Sequence, residues 1–411
     1  MIRLADIARR YGDRPLFLGG ERPVTYAEFA GQTHDQDPEQ DARETACLEL
    51  EWTPAAFARL LGLINAGRDV AIGCEVRGEQ LQPFHNFRPL LILRTGGTTG
   101  APRHVVHAQQ RLLGAYTLQE RPPVRLLALY AAGHIAGLDA FFQALHRGST
   151  LVLPDGRSPE AIAAAIETHR VQVLPATPTF LQFLLLSGAL EGRDLSCVET
   201  IPHGAEPMPP PLRARLQAAF PRAQLLQRFG LTELGALPVR PDPEDPAALF
   251  LEEGDGYAWK IEDGELLIRS PRRMLGTLED GPADPADPWH HTGDLAEWTP
   301  RGSLHVHGRR EALINVGGLK IVPEAVEALL LAQPMVRDAA VHAVPHPLTG
   351  QAVVARVVFA GEPDPASLVR ALRAAARQRN LSLAHVPTHI EAVGEIGKTA
   401  LGKRARPQVK A

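Results

Sequence analysis

The sequence predicts an α/β fold, with a large N-terminal domain of layered α/β sheets and a small C-terminal α+β domain. Three observations carry this. Between about residues 91 and 240, short apolar strands alternate with amphipathic helices at the spacing of parallel-sheet units. After 240 the chain turns to Pro- and acid-rich loops and hairpins. From residue 309 a strand and helix pattern returns over about a hundred residues, enough for a unit with its own core.

The elements follow in chain order. Residues 90–93 (LLIL) and 124–130 (VRLLALY) read as buried strands. Residues 139–148 are helical and 149–154 form a strand. Ser158 as N-cap, Pro159 in the first turn and Glu160 behind it start a helix over 158–170. Residues 171–176 (VQVLPA) read as a strand, and 177–188 as a helix ending at Gly188. A helix over 210–221 and a strand over 223–230 complete the alternation. Asp263-Gly264 marks the turn of a hairpin over 260–270, and 279–289 read as a loop. In the last unit Pro323 opens a helix over 323–333. Two strands, a helix over 364–380 and a final strand over 388–396 follow.

The 411 residues are 45% hydrophobic and 22% charged, with a formal net charge of -4. No long basic run is present, which argues against nucleic acid as the main partner. The cysteines Cys47, Cys74 and Cys197 are far apart and lack CxxC spacing. Neither a disulfide framework nor a zinc site is expected, and a reducing compartment is. The N-terminus lacks the apolar stretch of a signal peptide, and no apolar run is long enough for a membrane span. The expected location is cytoplasmic.

One stretch stands apart: Thr95-Gly96-Gly97-Thr98-Thr99-Gly100, directly after a strand. Glycines let backbone N–H groups approach a phosphate, and threonine hydroxyls add donors. It is not a Walker A loop, because Gly100 is followed by Ala-Pro-Arg rather than Lys-Ser/Thr. Taken alone, the loop is equally well a plain tight turn.

In company it becomes specific. RTGGTTGAPRHVV resembles the phosphate-binding signature of the adenylate-forming superfamily. Its members include acyl- and aryl-CoA synthetases, the adenylation domains of peptide synthetases, and luciferases. PHGAE resembles the family's adenine loop, and Phe229-Gly230-Leu231-Thr232-Glu233 its Tyr-Gly-x-Thr-Glu motif. WHHTGDLAEW is similar to the Thr-Gly-Asp motif, HGRREALINVGGLK to the interdomain hinge, and GKTALGKRAR to the catalytic-lysine motif. These motifs stand in family order over roughly residues 90 to 406.

The resemblance implies a reaction in two halves. A carboxylic acid attacks ATP to give an acyl-adenylate and pyrophosphate. A thiol, of CoA or of a carrier protein's phosphopantetheine, then takes the acyl group. It also implies ATP with Mg²⁺, a small-molecule acid substrate, and a hinge between domains at 1–308 and 312–411. Thr95, Gly97, Thr98, Thr99 and Gly100 would meet the phosphates, with Arg103 where most members have Lys and His104 where Gly is usual. Gly204, Ala205 and Glu206 would line the adenine. Thr232 would donate to the α-phosphate and Glu233 would hold Mg²⁺; the bare Thr-Glu pair also reads as a helix start. Asp294 would accept the ribose hydroxyls beside Arg309, and Lys403 would serve adenylation. His134 matches a position that gates the acyl pocket, or else is a satisfied core histidine. The hinge falls on Glu311, and Gly317-Gly318 leave room for a pantetheine arm or form a simple hairpin turn.

Ile135 aligns with the Asp that pairs the α-ammonium in amino-acid-activating members, so an apolar aryl or acyl acid is expected instead. RPVTYAEF (22–29) resembles the family's opening, but the N-terminal half is shorter than usual, with 51–73 as its surviving helix and strand. Such a deletion is expected to bare apolar surface for a partner subunit, as in a homodimer, or for a carrier protein. The competing reading is a nucleotide-binding scaffold descended from this family, favoured by Arg103, His104, Glu311 and the short N-terminal half.

Overall fold

The computed structural model describes residues 4–20, 22–33, 45–95 and 102–397. Its first α/β layer holds the parallel strands Ala46–Leu48, Val70–Ile72 and Leu90–Arg94. The layer then runs antiparallel through His104–Ala108 to Gly276–Thr277. The helix Pro54–Asn65 connects the first two strands. Thr53 caps it, accepting from the Ala56 N–H at 3.2 Å, and Pro54 sits where no N–H is needed.

A second sheet runs Val24–Thr25, Pro15–Leu18, Thr150–Val152, Arg125–Leu127, with the last three parallel. Thr200–His203 and Gln224–Gln227 extend this layer as a parallel pair. The expected strand over 171–176 is not a full strand: Val173 and Ala176 make isolated bridges, and Pro175 has no N–H to give a ladder. The segment still joins the two groups of strands, since Leu127 donates to Val173 O and Leu174 to Thr200 O. The helices Ile135–Arg147, Pro159–His169, Pro178–Leu186 and Pro210–Ala219 cover the layer.

The third sheet is antiparallel, in the order Val239–Pro241, Ala248–Leu251, Leu304–Arg309, His290–Trp298, Glu265–Arg269, Ala258–Glu262. Its hairpin turns at Asp263-Gly264 as expected, with φ of 48° and 76°. The last unit has its own core around Ile314, Leu330, Val341, Val357 and Leu368. Its sheet is built on the long pair Val336–His346 and Gly350–Phe359, backed by the helices Pro323–Leu331 and Pro365–Gln378. It rests on the larger unit through Gln182, whose side-chain amide donates to Arg337 O at 2.8 Å and to Asp338 Oδ1 at 2.9 Å. Gln182 is only 2% exposed, so this polar contact is buried.

The N-terminal half closes on itself. Phe17, Phe29, Phe57 and Phe141 form one buried aromatic cluster, with Phe57 and Phe141 stacked at 4.2 Å. The Tyr26 hydroxyl lies within hydrogen-bond reach of Ala144 O and Ser149 O, so the opening segment is fastened to the helix Ile135–Arg147 and the turn behind it. The bared apolar surface expected from the deletion is not found among the described residues. Among the described residues of that half, the exposed large apolar side chains are Phe87, which lies under the Arg111 guanidinium, and Leu118.

Candidate active site

The glycine and threonine loop is the connection of an antiparallel hairpin, Leu90–Arg94 with His104–Ala108. Its ends are pinned: the Thr95 N–H donates to Arg103 O at 2.8 Å, and the Arg103 N–H to Thr95 Oγ1 at 3.0 Å. The Thr95 hydroxyl therefore closes the loop. Gly97, Thr98, Thr99 and Gly100 lie outside the described residues. The two residues that depart from the family pattern share one anchor. Arg103 pairs with Asp280, and the His104 backbone N–H and ring Nδ1 meet the Glu279 carboxylate at 3.1 and 2.6 Å. Thr277 holds Asp280 in turn through its hydroxyl at 2.9 Å.

Thr232 and Glu233 do not start a helix. They form the turn between Gly230–Leu231 and Gly235–Ala236. Gly235 has φ of +70°, and a Cβ there would stand 3.0 Å from the Arg272 guanidinium carbon, so the turn is specific to glycine. The turn is brought to the loop's exit strand. His107, fully buried on that strand, donates from Nε2 to Thr232 O at 2.8 Å. Met274 N–H donates to Glu233 O at 2.8 Å, and its neighbour Leu275 donates to Val106 O at 2.7 Å. Thr232 is buried and Glu233 half-buried.

Gly204 follows the strand Thr200–His203 and passes so close to Arg228 that a Cβ would meet its carbonyl oxygen at 2.6 Å. Ala205 takes φ of 66° and is exposed. Glu206 turns back into the protein, where Thr179 Oγ1 donates to it at 2.5 Å. It anchors the loop to the helix Pro178–Leu186.

Asp294 and Arg309 are register partners in the third sheet, joined by Arg309 Nε to Asp294 Oδ1 at 3.0 Å. Arg309 Nη1 also donates to Thr292 O at 2.7 Å. The turn at Gly293 is tied down by its N–H to Glu265 Oε1 at 3.0 Å. Hydrophobic residues of the Glu233 hairpin, Leu231, Leu234 and Leu237, share one core with this sheet. His134 is the N-cap of the helix Ile135–Arg147, with Nδ1 accepting from the Ala136 N–H at 3.3 Å. Ile135 is buried, 7% exposed. Gly317 and Gly318 form the exposed turn of the hairpin Ile314–Val316 and Leu319–Ile321. Glu311 lies in the exposed single turn Arg310–Ala312. Lys403 lies outside the described residues.

Sequence reasoning missed His107, Glu265 and Arg272. His107 directly follows the loop motif RTGGTTGAPRHVV, and nothing in the sequence marks it as a link to the Thr232–Glu233 turn. Among the described residues no cluster of three His, Cys, Asp or Glu could hold a metal by itself, and no helix is long and apolar enough to cross a membrane.

Burial holds three histidines neutral. It pushes His107 down to about 4, helped by Arg272; His203 down to about 3, helped by Arg213; and His290 down to about 4, helped by Arg273. In the unfolded chain each would take a proton near 6.5. The fold therefore binds fewer protons than the unfolded chain over this range. Its stability is full above pH 6.5 and falls as pH drops toward 4, by roughly 1.4 kcal/mol per pH unit for each ring. Urea midpoints should fall steeply between pH 7 and 5, and His107→Gln should flatten that slope. An unchanged slope would show that His107 is not held neutral.

The AMP-binding enzyme family model matches residues 32–276, and the model of the AMP-binding enzyme C-terminal domain matches 325–403. A methyl-dioxo-octahydroindenyl-propanoyl:CoA ligase of Mycobacterium tuberculosis is 31% identical over 78% of this chain. A long-chain-fatty-acid–CoA ligase of Bacillus subtilis is 28% identical over 80% of it. The chain spans 65% and 62% of the lengths of these two relatives. Among solved structures, an anthranilate CoA ligase in complex with anthranoyl-AMP superposes with a TM-score of 0.80 at 18% identity, covering 98% of this chain and 96% of that one. An amide bond synthetase of Marinactinospora thermotolerans superposes with a TM-score of 0.73 at 25% identity, covering 98% of each.

Proposed function

The chain belongs to the AMP-binding enzyme family, and from that premise we propose that it is an ATP-dependent acid:thiol ligase. It joins a carboxylic acid to the α-phosphate of ATP with loss of pyrophosphate. It then passes the acyl group to the thiol of CoA or of a carrier protein's phosphopantetheine. The observation that carries the reading is the double tie of the Thr232–Glu233 turn to the strand leaving the glycine and threonine loop. One tie runs through His107, the other through Met274 and Leu275. These ties bring the Glu233 turn to the strand that leaves the loop, as a site pairing phosphate donors with a carboxylate requires.

Both reactants of the first half are anions, so the site's task is electrostatic. The loop from Thr95 to Gly100 offers N–H and hydroxyl donors to the phosphates. Arg103 adds a cation; its pair with Asp280 is exposed, so exchanging that carboxylate for a phosphate costs little. A lone Glu233 suits Mg²⁺, which takes one or two carboxylates and fills its shell with phosphate oxygens and water, neutralising charge there. Thr232 would donate to the α-phosphate. Gly204 and Ala205 give the adenine a face without side-chain bulk. Asp294 is an acceptor for ribose hydroxyls, oriented by Arg309 and by the Gly293 turn on Glu265. Lys403 brings an ammonium to the transferring group. His134, at the head of its helix, borders the acid.

We assign residues 1–308 to the core that binds ATP and acid and 312–411 to the unit carrying Lys403, with Glu311 as hinge. Ile135 cannot pair an α-ammonium, which favours an apolar aryl or acyl acid over an α-amino acid. The proposed location is the cytoplasm.

The test is acid-dependent pyrophosphate release from ATP across a panel of aryl and alkyl acids, followed by product analysis with CoA and with a holo-carrier protein. Release with an apolar acid and a thioester product are expected. No release with any acid would favour the scaffold reading, and transfer to an amine but not to a thiol would overturn the acceptor.

A further inference from the structure

We propose that Arg272, tied through Tyr116 to Asp139, is a positioning residue that fixes the Glu233 turn against the helix Ile135–Arg147. The inference rests on the reading of Glu233 as the magnesium carboxylate. None of the three residues falls in the sequence motifs described above, and they are brought together from distant parts of the chain.

Arg272 is 6% exposed and reaches in two directions. Nη1 donates to Ala236 O at 3.2 Å, three residues past Glu233 on the returning strand of its hairpin. Nη2 donates to the Tyr116 hydroxyl at 3.1 Å, and the guanidinium lies 5.1 Å from the Tyr116 ring centroid. The Tyr116 hydroxyl in turn donates to Asp139 Oδ1 at 2.7 Å. Its ring stacks on Phe142, 5.2 Å away on the same helix. Arg272 Nε has no hydrogen-bond partner among the described residues, and the guanidinium lies flat against Gly235.

A buried arginine and a carboxylate bridged by a tyrosine are poor stabilisers. Apolar side chains of the same volume often do as well. What such a network supplies is fixed geometry. Here the segment 272–274 grips the hairpin twice, by the Arg272 side chain at Ala236 and by the Met274 N–H at Glu233. With the His107 tie to Thr232 O, these grips hold the turn's backbone at three points, fixing the base from which the Glu233 side chain projects. The anchor is the helix that His134 caps, so the acid side and the phosphate side of the site share one rigid support.

The test is calorimetric titration of ATP with and without Mg²⁺, using the full chain. Variants are Tyr116→Phe, Arg272→Lys, Glu233→Gln, and Tyr116→Phe combined with Glu233→Gln. Tyr116→Phe keeps the ring on Phe142 and loses only the hydroxyl, and Arg272→Lys keeps the charge and loses the fork. Each single variant should lower the Mg²⁺-dependent gain in ATP affinity, by about tenfold for Tyr116→Phe. For Tyr116→Phe and Arg272→Lys, affinity without Mg²⁺ should stay as in the wild type. On top of Glu233→Gln, Tyr116→Phe should add nothing, because both act at one carboxylate. A loss of melting temperature with the Mg²⁺ gain intact would make the network structural only and overturn the proposal. If Glu233→Gln itself leaves the Mg²⁺ gain intact, the reading of Glu233 fails and takes this proposal with it. If Glu233→Gln removes the gain while Tyr116→Phe and Arg272→Lys do not, only the positioning role fails.

Discussion

Glu233→Gln is expected to slow acid-dependent pyrophosphate release by about 10²–10³-fold, the range for removing one oriented charge from a site where charge develops. Gln keeps the size of the side chain and can still take part in the turn's packing. The backbone ties of the turn, His107 to Thr232 O and Met274 to Glu233 O, do not involve the side chain and should survive. What is lost is the negative oxygen pair that a small hard cation prefers. Raising Mg²⁺ should recover part of the rate, because the defect is one of metal affinity. Rates taken at several Mg²⁺ concentrations check this. A Glu233→Gln rate within threefold of wild type would remove Glu233 from the chemistry.

Lys403→Ala is expected to act as strongly on the first half-reaction and hardly at all on the second. The negative charge of the adenylation step builds on the α-phosphate oxygens, where an ammonium is worth about 10²–10³ in rate. Thioester formation from a preformed acyl-adenylate releases AMP and needs no new charge at that phosphorus. Feeding the variant a synthetic acyl-adenylate and the thiol separates the two. Equal losses in both halves would assign Lys403 to folding or binding rather than to adenylation.

The elements that were legible in the sequence carried local signals. Asp263-Gly264 dictated its hairpin, and Ser158-Pro159 and Thr177-Pro178 opened their helices by capping chemistry. The helix Ile135–Arg147 begins four residues before its expected start, because a histidine fills the capping place usually taken by Ser, Thr, Asp or Asn. Residues 171–176 have the composition of a strand but not its donors, and Pro175 limits them to isolated bridges.

The motifs named most of the candidate site, yet not what holds it. Asp280 lies 177 positions from Arg103, and Tyr116 lies 156 from Arg272. Pairs at that separation leave no periodicity to read. The Thr232–Glu233 pair is ambiguous in sequence because Ser/Thr before Glu also opens helices. The left-handed Gly235, packed by a distant arginine, settles it as a turn. Among the described residues of the N-terminal half the expected apolar gap is not found, because Phe17, Phe29 and Phe57 reach Phe141 directly.

The amide of Gln182, sealed beneath the C-terminal unit, gives that unit's position a chemical character. Any departure is a wetting event: water must enter the seam before the Gln182 amide and the Asp338 carboxylate can part, since neither tolerates an empty interface. The unit is thus seated by a buried polar clasp, and the cost of parting it is the cost of solvating that amide and carboxylate.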